Sequence, residues 1–200
     1  MPHSRPIRLP RADFNKTPIP LTLCSGLEFL RVHGLDFPAI NFRLYSGHRF
    51  SHPDSPSGLL YGADDLETCL WECFGDGIFD HDSVISLTVW DSRKVSRITA
   101  SSAFKICDLT DLQTRTALRL DLSALKNHEL SIPQAWGLAI QNHPDTIDGI
   151  RYLSRFTSKP CVALFQRTEI SAKLKEKAIS MLSDLDAAEE FLETNAIALV

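Results

Sequence analysis

The chain has 200 residues, of which 44% are hydrophobic, and its 25 acidic and 21 basic side chains give a formal charge of −4. This length allows one sizeable core, so a single compact domain with peripheral extensions is expected rather than two small domains. The acidic balance argues against broad electrostatic binding of nucleic acid, and no apolar run approaches the roughly 20 residues that span a bilayer. A cytoplasmic protein that binds neither a membrane nor nucleic acid directly is therefore expected.

The first segment, residues 1–28, is predicted to be an extended N-terminal arm and lead-in. Its basic residues are interrupted by five prolines, which leave no continuous apolar stretch for a signal peptide. Further along, the leucines at 23, 27 and 30 have near-helical spacing and favour a helix over residues 22–31. The glycines and prolines of residues 38–58 then indicate loop, and a short strand is expected at Leu59–Tyr61.

The next helix is predicted from its capping residues. Asp64 or Asp65 can accept hydrogen bonds from the free amides of the first turn, and Gly75 can end the helix in a left-handed conformation, just after Phe74. Residues Val84–Trp90 alternate apolar and polar side chains, which predicts a half-buried strand.

The second half of the chain mixes short strands and helices. Strands are predicted at Phe104–Cys107, Gly149–Leu153 and Cys161–Phe165, and helical structure is predicted over Asp111–Lys126, from Ser131 onward, and from Ser171 to the C-terminus. Because strands and helices do not alternate regularly, the pattern favours an α+β fold over a doubly wound sheet. The glycines match neither a P-loop nor a Rossmann fingerprint.

The cysteines and histidines do not form a recognisable metal site. The five cysteines are odd in number and lack paired ligand spacing, and the histidines form no HExxH arrangement. We therefore expect the cysteines to be free buried thiols, and we expect no bound metal.

Five short motifs occur in an order that resembles the RES domain family, which is named for an arginine, a glutamate and a serine. The resemblance covers roughly Phe29–Arg167, with residues 168–200 as a C-terminal helical extension packed on the same domain. The motifs are Leu30–His33 (LRVH), Gly47–Phe50 (GHRF), Leu60–Ala63 (LYGA), Thr68–Glu72 (TCLWE) and Asp148–Arg155 (DGIRYLSR).

The resemblance implies a mixed β core related to ADP-ribosyltransferase toxins, flanked by helices, and an enzyme that cleaves the nicotinamide–ribose bond of NAD. By motif position, Arg31 and Arg49 match the arginines of the family, Tyr61 its aromatic residue, Glu72 its carboxylate and Ser154 its serine. Val32 departs from members that have tyrosine after the first arginine, so a ring contact at that position is in doubt.

The chemistry of these side chains fits the implied reaction. Guanidinium groups offer paired donors to phosphate oxygens, so Arg31 and Arg49 are expected to anchor the pyrophosphate. Loss of nicotinamide leaves an oxocarbenium-like ribose, which the Glu72 carboxylate would stabilise. Tyr61 is assigned to the nicotinamide end, and Ser154 to the ribose or to the orientation of Glu72. Without the resemblance, each of these residues would more often be an ordinary surface or core residue.

Several alternatives remain open from the sequence. Water as acceptor would make a glycohydrolase, inorganic phosphate as co-substrate would make a phosphorylase, and a protein or nucleotide target would make an ADP-ribosyltransferase. A binding module that holds NAD without turnover is the non-enzymatic alternative. NAD is expected as a substrate and no cofactor is required. The resemblance also implies the toxin of a toxin–antitoxin pair and hence an antitoxin partner, whereas the sequence leaves homo-oligomerisation open.

Overall fold

The computed structural model describes residues 8–200, and the chain in this range folds into a mixed sheet surrounded by helices. The strands are β1 (Leu21–Cys24), β2 (Glu28–Gly34), β3 (Leu59–Ala63), β4 (Val84–Ile85), β5 (Arg93–Ala100), β6 (Phe104–Asp108), β7 (Gly149–Leu153), β8 (Pro160–Phe165), β9 (Leu174–Met181) and β10 (Ala198–Leu199). The helices are α1 (Leu66–Asp80), α2 (Leu87–Asp91), α3 (Leu112–Leu118), α4 (Leu122–Leu125), α5 (Ser131–Gln141), α6 (Thr168–Lys173) and α7 (Asp186–Thr194), with short 3-10 turns at Phe14–Lys16 and Leu182–Asp184.

The main sheet has eight strands in the order β1-β6-β7-β8-β3-β2-β5-β9, and β4 pairs separately with β10. Within the main sheet β6 and β7 are parallel, and the other neighbours are antiparallel. Strands and helices are therefore mixed without a repeated strand–helix–strand unit, and the predicted α+β class is confirmed.

Near its centre the main sheet is open between β2 and β3. Strand β2 pairs with β5 from Glu28 opposite Thr99 to Gly34 opposite Arg93, but it shares a single registered pair with β3. Backbone carbonyls that β2 and β3 do not use for each other need other partners, because a buried carbonyl without a hydrogen bond is costly. Side chains supply two of them: the Cys69 thiol donates to Leu30 O at 3.2 Å, and the Arg31 guanidinium donates to Tyr61 O at 2.7 Å.

Three groups of buried side chains hold the layers together. The largest lies under α5 and includes Trp136, Ile140, Ile150 and Tyr152, the second includes Phe29, Leu60, Ile98 and Phe104, and the third joins α1 to α7 through Leu70, Phe74, Ile78 and Phe191. These clusters fix α1 against the open part of the sheet. No helix within residues 8–200 has both the length and the hydropathy to cross a membrane.

Several predicted elements are confirmed by the structure. The Asp65 side chain accepts the Thr68 amide hydrogen at 2.9 Å and caps α1. Strands β3, β6, β7 and β8 lie where strands were predicted, α5 begins at Ser131, and α3 and α4 occupy the region predicted as helical.

The predicted end of α1 at Gly75 is wrong, because the helix continues to Asp80. Gly75 lies inside the helix, where a Cβ would come within 2.6 Å of the Phe156 ring. The glycine thus allows close packing of an aromatic ring rather than a helix end. The chain leaves the helical conformation at His81, and the next two residues, Asp82 and Ser83, have positive φ.

Three further secondary-structure predictions are wrong. Residues 22–31 form parts of β1 and β2 rather than a helix, Val84–Trp90 is a two-residue strand followed by α2, and the C-terminal segment contains β9. In residues 22–31 and in the C-terminal segment, pairing with a distant strand decides the conformation, because short apolar patterns are compatible with either structure. Strand β9 lies at the edge of the sheet beside β5, and most of its side chains are exposed. Its sequence is therefore as polar as that of a surface helix.

The predicted N-terminal arm lies partly outside the described residues, since residues 1–7 are not among them. From residue 8 onward the segment packs on the domain. Phe14 and Ile19 are buried in the cluster under α5, and the Trp136 indole donates to Arg8 O at 3.0 Å. The division at residues 28 and 167 stays a prediction.

Candidate active site

A cavity of about 530 Å³ lies between the open side of β2, strand β3 and helix α1. Its polar lining comes from all three elements, from the start of β5 and from the loops that follow β2, α4 and β7. The lining includes five arginines and two carboxylates: Arg31, Arg43, Arg49, Arg93, Arg155, Glu72 and Asp76. The excess of positive charge makes this cavity suited to an anionic ligand.

Glu72 is fixed in the cavity by a serine from another part of the chain. The Ser154 hydroxyl is fully buried and donates to Glu72 Oε1 at 2.6 Å, although the two residues are 82 positions apart. The Ser154 hydroxyl oxygen also accepts the amide hydrogens of Phe156 at 3.1 Å and Thr157 at 3.3 Å. Because two backbone donors occupy the acceptor sites of the hydroxyl, its hydrogen is directed to the carboxylate.

Glu72 itself remains exposed to the cavity, so its second carboxylate oxygen is available to a ligand. Ser154 is not among the cavity-lining residues and lies behind Glu72. The arrangement therefore holds one carboxylate in a defined orientation while a ligand can approach from the solvent side. A fixed negative charge of this kind stabilises a developing cation without reorganising during the reaction.

Tyr61 connects two of the sequence motifs. Its hydroxyl accepts the Phe50 amide hydrogen at 3.1 Å and lies 3.3 Å from Ser51 Oγ. Burial raises the pKa of Tyr61 to about 12, so the phenol stays protonated and can also donate. The tyrosine thus holds the loop that carries Arg49 beside the cavity.

Arg31 and Arg49 enter the cavity from different elements and are anchored through carbonyl groups. Arg31 comes from β2 and donates to Tyr61 O, and the buried Arg49 donates to Leu125 O in α4. Neither guanidinium has a carboxylate within ion-pair distance among residues 8–200. Burial lowers the pKa of Arg31, with Cys73 acting in the opposite direction, but guanidinium groups stay charged in proteins.

Two histidines in the lining are kept neutral by their surroundings. Burial lowers the pKa of His48 to about 4, and the Arg31 and Arg43 charges act in the same direction. Burial also lowers the pKa of His33, whose Nε2 lies 3.0 Å from Ser96 Oγ. At neutral pH both rings are therefore uncharged, and the positive charge of the cavity comes from arginine.

The structure brings all five predicted site residues together. Arg31, Arg49, Tyr61 and Glu72 line one cavity, and Ser154 contacts Glu72 directly. Val32, where the chain departs from the family pattern, also lines the cavity as an aliphatic side chain. Their catalytic and binding roles stay predictions.

Sequence reasoning missed several residues of the cavity. These residues include Arg43, His48, Asp76 and Arg93, all of which line the cavity. Asp76 forms an ion pair with Arg155, which neutralises one of the five arginines. The position of Asp76 one helical turn after Glu72 was the available signal, whereas nothing near Arg93 in the sequence points to the cavity.

Comparisons with known proteins place this arrangement in context. The family model described as RES domain matches residues 28–185. The fold is similar to that of a chain in the crystal structure of the M. tuberculosis MbcT–MbcA toxin–antitoxin complex, with a TM-score of 0.62 and 17% sequence identity over 88% of this chain and 92% of that chain. A search of curated proteins for relatives by sequence finds no match.

Proposed function

Because the chain belongs to the RES domain family, we propose that it degrades NAD by cleaving the bond between nicotinamide and ribose. The observation that carries this proposal is the Glu72 carboxylate, held by buried Ser154 at 2.6 Å inside a cavity lined with arginines. The cavity offers positive charge for a diphosphate and one oriented negative charge for the ribose cation. These are the two requirements of the reaction.

Each residue has a defined part in the proposed reaction. Arg31 and Arg49 bind phosphate oxygens, and Tyr61 lies at the nicotinamide end. As the glycosidic bond breaks, its electron pair leaves with nicotinamide and positive charge develops on the ribose, where Glu72 stabilises it. Ser154 acts through Glu72 and keeps its carboxylate turned toward the cavity.

Inorganic phosphate is the acceptor that the charge of the cavity favours. Five arginines face two carboxylates in the lining, and one of these carboxylates is paired with Arg155. Four arginines are thus left beside Glu72, an excess that suits a diphosphate together with a second anion. We therefore propose a phosphorylase, with the glycohydrolase as the outcome when phosphate has no effect.

The test measures products from purified wild-type protein and the E72Q variant. Each is incubated with NAD, with and without inorganic phosphate, and nicotinamide, ADP-ribose and ADP-ribose-1''-phosphate are separated by chromatography. E67Q is the matched control, because Glu67 lies on the same helix and pairs with Lys159 at the surface. The proposal requires nicotinamide release by wild type and E67Q, and strong loss of release in folded E72Q.

The products also decide between the alternatives. Phosphate-dependent ADP-ribose-1''-phosphate identifies a phosphorylase, and free ADP-ribose without phosphate identifies a glycohydrolase. Labelled ADP-ribose on a protein or nucleotide would instead identify a transferase. NAD binding without nicotinamide release by folded, partner-free wild type would favour the binding module.

The proposed cellular role is that of a cytoplasmic toxin restrained by an antitoxin. It is supported by the family and by the fold shared with a chain of the MbcT–MbcA toxin–antitoxin complex. Expression of the wild-type chain alone should deplete cellular NAD and stop growth, and E72Q should do neither. Growth arrest by E72Q equal to that by wild type would contradict this role.

A further inference from the structure

Arg93 enters the cavity next to a glycine that leaves room for it. The residue begins β5 and lies opposite Gly34 in β2. A Cβ on Gly34 would lie 3.2 Å from the nearer Arg93 guanidinium nitrogen and 3.4 Å from the Phe37 ring. Arg93 and Phe37 therefore lie side by side over Gly34, at one end of the cavity.

The charge of Arg93 has no protein partner in the described part of the chain. Four arginines of residues 8–200 have a carboxylate at ion-pair distance, among them Arg97 on the same strand, which pairs with Glu28 at 2.5 Å. Neither Arg31 nor Arg93 has such a carboxylate, and the buried Nε of each lacks a hydrogen-bond acceptor in the described residues. Buried donors and charges without partners are costly, which indicates an anion that the protein binds there.

Arg31 and Arg93 line the same cavity from neighbouring strands. Arg31 lies on β2 three residues before Gly34, which is the residue opposite Arg93 on β5, and Cys73 of helix α1 lines the cavity with both. Two guanidinium groups in one cavity can together bind a phosphate chain, because each offers planar paired donors.

The surface beside this pair favours a nucleotide over a free phosphate. The Arg43 guanidinium lies 5.8 Å from the Phe37 ring centroid and 5.6 Å from that of Tyr45. These three side chains form a rim. Phe37 is 49% exposed and Tyr45 is 52% exposed, so about half of each side chain remains open to a ligand. Stacking on aromatic and guanidinium planes is the common way in which proteins bind nucleobases.

We propose that Arg93, together with Arg31, binds the diphosphate of a nucleoside diphosphate group whose base lies against the Phe37–Arg43–Tyr45 rim. This inference rests on the proposed function in assigning the ADP half of NAD to this end of the cavity. The ribose that reacts then lies toward Glu72, and Arg49 binds phosphate oxygens on that side of the diphosphate. Arg93 is thus a substrate-binding residue outside the five motifs of the sequence.

The test is calorimetric titration with ADP, which needs no turnover. Wild type should bind ADP, and R93Q should bind it about tenfold to a hundredfold more weakly, as expected for loss of a charge-assisted hydrogen-bonding group. R97Q is the matched control on the same strand, and its affinity should stay within about twofold of wild type. Thermal unfolding of each variant establishes that it is folded.

A second variant tests the paired donors of the guanidinium while keeping a positive charge. R93K keeps the charge but loses the planar pair of donors, and it should weaken ADP binding at least severalfold. R93K also decides the question should R93Q not fold. Unchanged ADP affinity in either folded variant, or no ADP binding by wild type, would overturn the proposal.

Titration with inorganic phosphate shows whether the site recognises a nucleotide or any phosphate group. The proposal expects much weaker binding of phosphate than of ADP at this end. Phosphate that binds as tightly as ADP and with the same dependence on Arg93 would show a simple anion site and overturn the nucleotide assignment. ADP binding that depends on Arg93 in a protein that never cleaves NAD would support this inference while refuting the proposed function.

Discussion

The hydrogen bond between Ser154 and Glu72 gives a prediction that separates positioning from catalysis. Replacing Ser154 by Ala removes the donor at 2.6 Å from the carboxylate and leaves the Glu72 charge in place. A hydrogen bond to a charged group contributes about 1.5–3 kcal/mol, which corresponds to a loss of about tenfold to 150-fold in kcat/KM if all of it is used to orient Glu72. E72Q removes the charge itself and should lower kcat/KM by about a hundredfold or more.

The double variant provides the decisive comparison. If Ser154 acts only through Glu72, the S154A/E72Q protein should be no less active than E72Q alone, because there is no charge left to orient. The assay is the initial rate of nicotinamide release at several NAD concentrations for all four proteins. An additional tenfold loss in the double variant would show that Ser154 contacts the substrate independently and would refute the positioning role.

The same substitution has a separate effect on stability. The Ser154 hydroxyl accepts hydrogen bonds from the Phe156 and Thr157 amides, and it is fully buried. Loss of two such bonds should lower the free energy of unfolding by about 2 kcal/mol. Denaturant unfolding of S154A measures this loss, so a fall in activity can be corrected for any unfolded fraction.

Further predictions concern α1, the cavity and the thiols. In α1, G77A should raise the free energy of unfolding by about 0.5–1 kcal/mol, because nothing lies within 4 Å of the Cβ position of Gly77. G75A should lower the free energy of unfolding, because a Cβ at Gly75 would meet the Phe156 ring at 2.6 Å. Equal shifts of the urea midpoint in the two variants would contradict this prediction. The pKa of His48 is lowered from 6.5 to about 4, so between these pH values the unfolded chain binds a proton that the folded chain does not. The free energy of unfolding should therefore decrease as the pH drops from 6.5 to 4, by less than the limiting value of about 1.4 kcal/mol per pH unit. Unfolding curves of H48Q from pH 7 to pH 4 should show a smaller fall, and parallel curves would refute the assignment. Ellman titration should leave three cysteines unreacted until urea unfolds the chain, because they are buried: Cys69, Cys107 and Cys161.

Local signals in the sequence were sufficient for much of the fold around the site. The cap at Asp65 and the strands β3, β7 and β8 follow from neighbouring residues, through capping chemistry and through short apolar runs. Three motif residues belong to the same segments: Tyr61 lies in β3, Glu72 in α1, and Ser154 directly after β7, as the sequence predicts.

Other elements depend on partners far away in the chain. Leu23, Leu27 and Leu30 fit a helical period, yet pairing with β6 and β5 makes their segments strands. Gly75 looked like a helix end, but its role depends on Phe156, which comes from the loop after β7. Such outcomes cannot be read locally, because short apolar patterns suit several conformations and tertiary contacts select one.

The sequence by itself determined the α+β class and the residue types that the proposed chemistry needs: paired arginines, a tyrosine, a glutamate and a serine. Only the tertiary structure decided that Ser154 lies behind Glu72, 82 residues away, and that Arg93 lies over Gly34 in the same cavity. The physical reason is that capping and alternation act over a few residues, whereas a charged cavity is built from strand register and packing across the whole chain.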